Sequence, residues 1–179
     1  MAHSCGFTGH RPQRFPWRFD ETAPACAALK AALKEQVILL AGSGTTDFYS
    51  GMALGVDTWA AEDVLELREK CPSIKLHCVL PCKNQDAKWN VAAKETYHTI
   101  LAQADSIRYI GQFYFNGCML KRDQKLVELS SLLLAVYDGQ PSGGTAATIR
   151  YAREQGKGII CIDPISLVVT EDHVEYASF

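Results

Sequence analysis

Residues 132–156 read LLLAVYDGQPSGGTAATIRYAREQG, and this stretch decides the fold. Its first six residues, 132–137, form a continuous apolar run of strand length, bounded by Asp138-Gly139. A strand without polar alternation is buried on both faces, as in a parallel sheet covered by helices. After the turn Gln140-Pro141-Ser142 comes Gly143-Gly144-Thr145, directly before a helical pattern carried by Ala147, Ile149 or Arg150, Tyr151 and Ala152. Gly156 is a natural stop at C′. Strand, glycine turn and helix start together aim free backbone N–H groups and the positive end of a helix dipole at one spot, which suits a phosphate. A tight turn that needs glycine only for its backbone angles is the other reading of the same residues.

Working outward, strands and helices alternate along the chain. Residues 4–7 read as a first strand, ending in the turn Thr8-Gly9-His10-Arg11-Pro12. Arg14, Phe15, Pro16, Trp17 and Phe19 form an aromatic-basic loop without periodicity. A helix from Pro24 places Cys26, Leu29, Leu33, Val37 and Leu40 on one face and closes at Gly42-Ser43-Gly44. Residues 47–50 form a second strand, followed by Gly51–Asp57, where Asp57 is suited to cap the next helix. A third strand covers 74–80, a helix 86–104, a fourth strand 106–110, a loop 111–118 and a short helix 119–129. The last strand of the pattern is 158–162, and residues 165–179 are an edge strand or a tail. Six such alternations predict one α/β domain, a doubly wound, mainly parallel Rossmann-like sheet flanked by helices. Ligands of such sheets bind beyond the carboxyl ends of the strands, where strand order reverses. Three glycine-bearing turns follow strands, and all three are expected on that edge.

The turns suggest the chemistry. Gly9, Gly51, Gly55, Gly143 and Gly144 let backbone approach a ligand closely. His10 and Arg11 supply a titratable donor and a fixed cation. Thr8, Ser50, Ser142 and Thr145 offer hydroxyls, and Asp138 an acceptor for a ribose hydroxyl or the anchor of an Asx-turn. No dinucleotide fingerprint, P-loop, nucleophile elbow or zincin motif is present. Seven scattered cysteines lack metal-site spacing, so no metal is expected and reduced thiols in a cytoplasmic protein are. No apolar run is long enough to span a membrane. A net charge of −2 gives no general footprint for nucleic acid or membrane.

Thr8-Gly9-His10-Arg11-Pro12, the stretch from Ser50 to Asp57 (SGMALGVD), and Tyr137-Asp138-Gly139 with Gly143-Gly144-Thr145 together resemble the YpsA-like branch of the SLOG superfamily. That superfamily also holds the SMF/DprA DNA-processing proteins and the LOG phosphoribohydrolases. The resemblance spans nearly the whole chain and implies a Rossmann-like fold with a nucleotide or nucleotide-derived ligand at the glycine turns, in a sensing or regulatory role. No cofactor is required. The implied ligand set is Thr8, Gly9, His10, Arg11, Ser50, Gly51, Gly55, Arg122, Asp138, Gly143, Gly144 and Thr145. Resemblance to LOG implies hydrolysis of a nucleotide N-glycosidic bond, with Met119-Leu120-Lys121-Arg122 matching its MxxR helix. The LOG glutamate position is Thr148, however, so the carboxylate of that pair is absent unless the fold brings Asp138 or Glu62 to its place. Resemblance to DprA implies single-stranded DNA binding, which the acidic net charge disfavours. A homo-oligomer is compatible with such a sheet, and no stripe in the sequence selects one.

Overall fold

The computed structural model describes residues 3–174. Strand β1 (His3–Gly9) leads through a 3-10 turn (Pro12–Arg14) to α1 (Pro24–Gly42). Then follow β2 (Thr45–Ser50), α2 (Val56–Lys70), β3 (Lys75–Leu80), α3 (Val91–Gln103) and β4 (Ser106–Tyr109). The second half comprises α4 (Cys118–Leu129), β5 (Leu132–Val136), α5 (Gly144–Glu154), β6 (Gly158–Ile162) and β7 (Val169–Asp172). One sheet runs β4-β3-β2-β1-β5-β6-β7. All pairings are parallel except β6 with β7. The chain first steps outward from β1 to β4, then returns to the other side of β1 with β5. The reversal in strand order therefore falls between β1 and β5, and the glycine turns after β1, β2 and β5 share the carboxyl edge, as expected.

The apolar run of β5 serves both faces of the sheet. Leu134 and Val136 belong to a core with Leu29, Leu33 and Val37 of α1, Val64 of α2 and Tyr97 of α3. Leu133 and Ala135 belong to a second core with Leu126 and Val127 of α4 and Ile149 and Ala152 of α5. That double burial is why the run carries no polar residue. On β1, a Cβ at Gly6 would overlap Leu126 and come within 2.6 Å of the Ser130 hydroxyl, so its absence lets α4 press on the sheet.

Some boundaries differ from the sequence reading. The helix expected over 86–104 starts at Val91, because Asn90 caps it, accepting from the Ala93 N–H at 2.8 Å, while 84–89 is wound in turns. The strand expected over 132–137 ends at Val136. Asp57 is not a cap. Gly55, at φ +90°, occupies the N-cap, and Asp57 lies inside the first turn of α2, accepting from the Ala53 N–H at 3.2 Å. The 165–179 tail contributes β7, antiparallel at the sheet edge, and residues 175–179 lie outside the described ones. Among the described residues no helix is long and apolar enough to cross a membrane.

Candidate functional site at the strand-order reversal

β1 and β5 stay together until the His10 N–H meets the Val136 carbonyl at 3.3 Å, and then part. The side chain of His10 is buried just there, with Nε2 2.8 Å from Asp138 Oδ1. The Gln140 N–H donates to the same oxygen at 3.0 Å, closing an Asx-turn, and Arg14 Nη2 stands 3.5 Å from the other oxygen. Burial raises the Asp138 pKa, but the bonds from Gln140 and His10 and the Arg14 charge outweigh it and leave the carboxyl below its ordinary value. The Tyr137 ring flanks His10 at 5.7 Å.

Beyond Asp138 the chain loops back, held by a bond from Arg150 Nη1 to the Pro141 carbonyl at 2.9 Å, and enters α5 through Gly143. Gly143 is the N-cap, at φ +99°, and no side chain caps the helix. A Cβ on Gly143 would stand 3.2 Å from Arg14 Nη1, and one on Gly144 would meet nothing within 4 Å. The amino end of α5 thus opens on free space beside a guanidinium, and its first N–H groups carry partial positive charge. Thr145, the second residue of the helix, is buried.

The turn after β2 is closed. Ser50 Oγ accepts from the Met52 N–H at 3.1 Å and donates to the Asp57 carbonyl at 2.8 Å. Arg122, only 4% exposed, donates through Nη1 to the Gly51 carbonyl and through Nε to Asp123 Oδ1 at 2.6 Å. A Cβ on Gly51 would lie 2.7 Å from Arg122 Cζ, and one on Gly9 would lie 2.7 Å from Val56 Cβ. The missing side chains of Gly9 and Gly51 therefore admit protein atoms, and that of Gly55 admits Pro12 at 3.0 Å. Thr8 is buried within β1. Arg122, expected as a counter-charge facing a phosphate, is instead an internal tie between α4 and the β2–α2 turn.

Of the residues singled out from sequence, the fold gathers His10, Asp138, Gly143, Gly144 and Thr145 at the reversal, and adds Arg14, which lies in a stretch without sequence periodicity. Only the 3-10 turn that folds Arg14 back toward Asp138 reveals it. Arg11 is exposed and lines a separate cleft of about 970 Å³ over the carboxyl ends of β1 to β4. Leu54, Asn84, Lys88, Trp89 and Tyr114 also line it, mostly from the β3–α3 connection, whose residues 86–89 are wound in turns rather than forming the start of the expected helix. Gln85 fixes that connection by donating to the carbonyls of Gly51 and Met52 at 3.2 and 3.0 Å.

A mostly parallel seven-stranded sheet with helices on both faces defines an α/β protein of Rossmann-like fold. Within that class the chain belongs to the YspA SLOG family, whose model matches residues 5–167. A UPF0398 protein of Brevibacillus brevis is 34% identical over 127 residues, covering 70% of this chain and 68% of the relative. One from Bacillus pumilus is 32% identical over 147 residues, covering 81% and 78%. Among solved structures, DNA processing protein A from Helicobacter pylori, described for its single-stranded DNA binding mode, superposes with a TM-score of 0.61 at 20% identity. That match covers 89% of this chain, which spans 64% of the solved one, and it speaks to the fold alone.

Proposed function

We propose that the crevice between β1 and β5 binds the phosphate of a nucleotide or nucleotide-derived small molecule, and that the protein acts as a sensor or regulator. The observation that carries this reading is the uncapped amino end of α5, open at Gly144 and flanked by Arg14. Backbone N–H groups and a guanidinium converging on one open volume suit a phosphate dianion. Asp138, held ionised by the Gln140 N–H, His10 and Arg14, excludes a second anion at its own position and leaves an oxygen for a ribose hydroxyl. Arg11, in the cleft, supplies a further cation for a longer ligand.

Glycosidic hydrolysis is disfavoured. Thr148 stands where the LOG glutamate would, buried, with its hydroxyl donating to the Gly144 carbonyl at 2.8 Å. Glu62 lies on α2 among Lys30 and Glu21, and Asp138 is already paired.

The test is a thermal-shift and calorimetric panel of inorganic phosphate, ribose 5-phosphate and nucleoside mono- and diphosphates, on the parent and Arg14→Ala. Losing a charge-assisted hydrogen bond of about 1.5–3 kcal/mol should weaken binding by roughly ten- to a hundred-fold. Equal affinity in both proteins would place the anion elsewhere.

A second reading, contact with single-stranded nucleic acid, rests on a different observation. Tyr109, Phe113 and Tyr114 are exposed around the β4–α4 connection, where Lys83 lies 5.9 Å from the Tyr109 ring and Lys121 5.3 Å from that of Phe115. Aromatic faces beside lysines are the elements of base stacking on a cationic track. Adding a short oligonucleotide to the panel at physiological salt decides it. Saturable binding lost in a Phe113→Ala, Tyr114→Ala double variant supports this reading, and no binding removes it.

A further inference from the structure

Away from the carboxyl edge, Asp47, His77 and Ser106 stand side by side on β2, β3 and β4. The strand register pairs Asp47 with Lys75, Tyr49 with His77 and His77 with Ser106, which sets all three side chains on one face. His77 Nε2 is 2.8 Å from Asp47 Oδ1, and His77 Nδ1 is 2.7 Å from Ser106 Oγ. Asp47 receives a second bond, from Thr46 Oγ1 at 2.6 Å. Burial raises its pKa, yet the bonds from Thr46 and His77 outweigh that and keep the carboxyl below its ordinary value. An ionised carboxylate only accepts, so Nε2 carries a hydrogen, and in the neutral imidazole Nδ1 presents its lone pair to the Ser106 hydroxyl. The Tyr49 ring stacks on His77 at 4.8 Å and, with Asp47, fixes the imidazole plane.

The geometry points to a second, independent site, in which Ser106 is a nucleophile, His77 its general base and Asp47 the residue that orients the base. Nucleophile, base and orienting acid within hydrogen-bond reach are the recurring parts of acyl transfer, and they are recognised by role rather than by chain order. Ser106 begins the edge strand and is exposed, while His77 and Asp47 are mostly covered. The substrate class is therefore small, unhindered electrophiles such as activated esters. Ser106 Oγ attacks the acyl carbon while its proton passes to His77 Nδ1. The C–O bond to the leaving group breaks, and the departing oxygen takes that proton. Water, deprotonated by His77, then attacks the acyl carbon; the C–O bond to Ser106 Oγ breaks, that oxygen takes the proton back from His77, and the acid is released.

The site is tested apart from any nucleotide by treating the full chain with a small alkyl fluorophosphonate and following intact mass, with p-nitrophenyl acetate turnover in parallel. In labelling, Ser106 Oγ bonds to phosphorus, fluoride leaves and His77 takes the proton. A single adduct mapping to Ser106 is expected, absent in Ser106→Ala and at least about a hundred-fold slower in His77→Gln, the usual scale of general-base catalysis. Asp47→Asn should lower the rate less, with the fold intact by circular dichroism. An adduct on another residue, no adduct in the parent, or an unchanged rate in His77→Gln overturns the assignment.

Discussion

The β2–α2 turn and the β5–α5 turn look alike in sequence, each a strand followed by glycine and a helix, yet the fold uses them in opposite ways. In the first, the volume left by Gly51 is filled by the guanidinium of Arg122, and the N–H groups of Met52 and Ala53 are taken by Ser50 and Asp57. In the second, a Cβ on Gly144 would meet nothing within 4 Å, and no side chain caps the helix. A glycine motif thus marks a close approach without saying what approaches. In one turn it is an arginine from within the protein, and in the other an open volume beside Arg14.

The contrast makes its largest demand on Arg122. Arg122→Ala should cost about 3–5 kcal/mol, because it leaves the Asp57 and Asp123 carboxylates without their buried counter-charge. Urea denaturation reads this directly. A loss below about 1 kcal/mol would mean that the turn is not held from within and that its glycine is free for a ligand.

The two turns should also carry opposite pH signatures. Burial, opposed by Arg122, pushes the Asp57 carboxyl from 3.8 up to about 6. Between those values the unfolded chain is ionised at this position while the folded protein keeps the proton. Stability from Asp57 therefore falls as pH rises through that window, by up to roughly 3 kcal/mol at full ionisation. The depressed Asp138 works the other way: its contribution is present above its unfolded pKa and lost as pH drops through the folded one. Asp57→Asn should flatten the profile between pH 4 and 6, and Asp138→Asn should flatten its acid end. Urea midpoints at half-unit steps compare the two, and a parent-like slope between pH 4 and 6 in Asp57→Asn would break the contrast.

The smallest stability effect belongs to the open turn. Gly144→Ala meets no neighbour and stiffens the unfolded chain, so the protein should gain about 0.4–1 kcal/mol. Affinity for a phosphate ligand should nonetheless fall, since the new methyl group enters the open volume. A variant both more stable and unchanged in binding would show that the turn is only a turn.

The fold was legible because its signals are local: the apolar run of β5, the face of Leu29, Leu33 and Val37, and a glycine turn after each of three strands. Half of the site was legible in the same way, from Asp138 through Thr145. The rest depends on partners distant in sequence. Arg122 carries a motif that suggests a ligand contact, and only the packing of α4 on the sheet reveals its seat against Gly51. Arg14 sits in a loop without period, and its approach to Asp138 is set by one turn of 3-10 helix. Asp57 is of a residue type suited to a cap and directly precedes a helical pattern, but Gly55, at positive φ, takes that role and moves Asp57 inside.

The Gly51 carbonyl has one more consequence, in time rather than in space. Two donors converge on this oxygen, Gln85 from 34 residues along the chain and Arg122 from 71. Both chain loops must close before it is fully engaged, and each closure costs entropy before any contact returns it. This junction should therefore assemble after the sheet is in place, late on the folding path. Changes at Gln85 or Arg122 would then leave the refolding rate nearly untouched and appear as faster unfolding. The lifetime of the native state, rather than the speed of reaching it, is what this one oxygen governs.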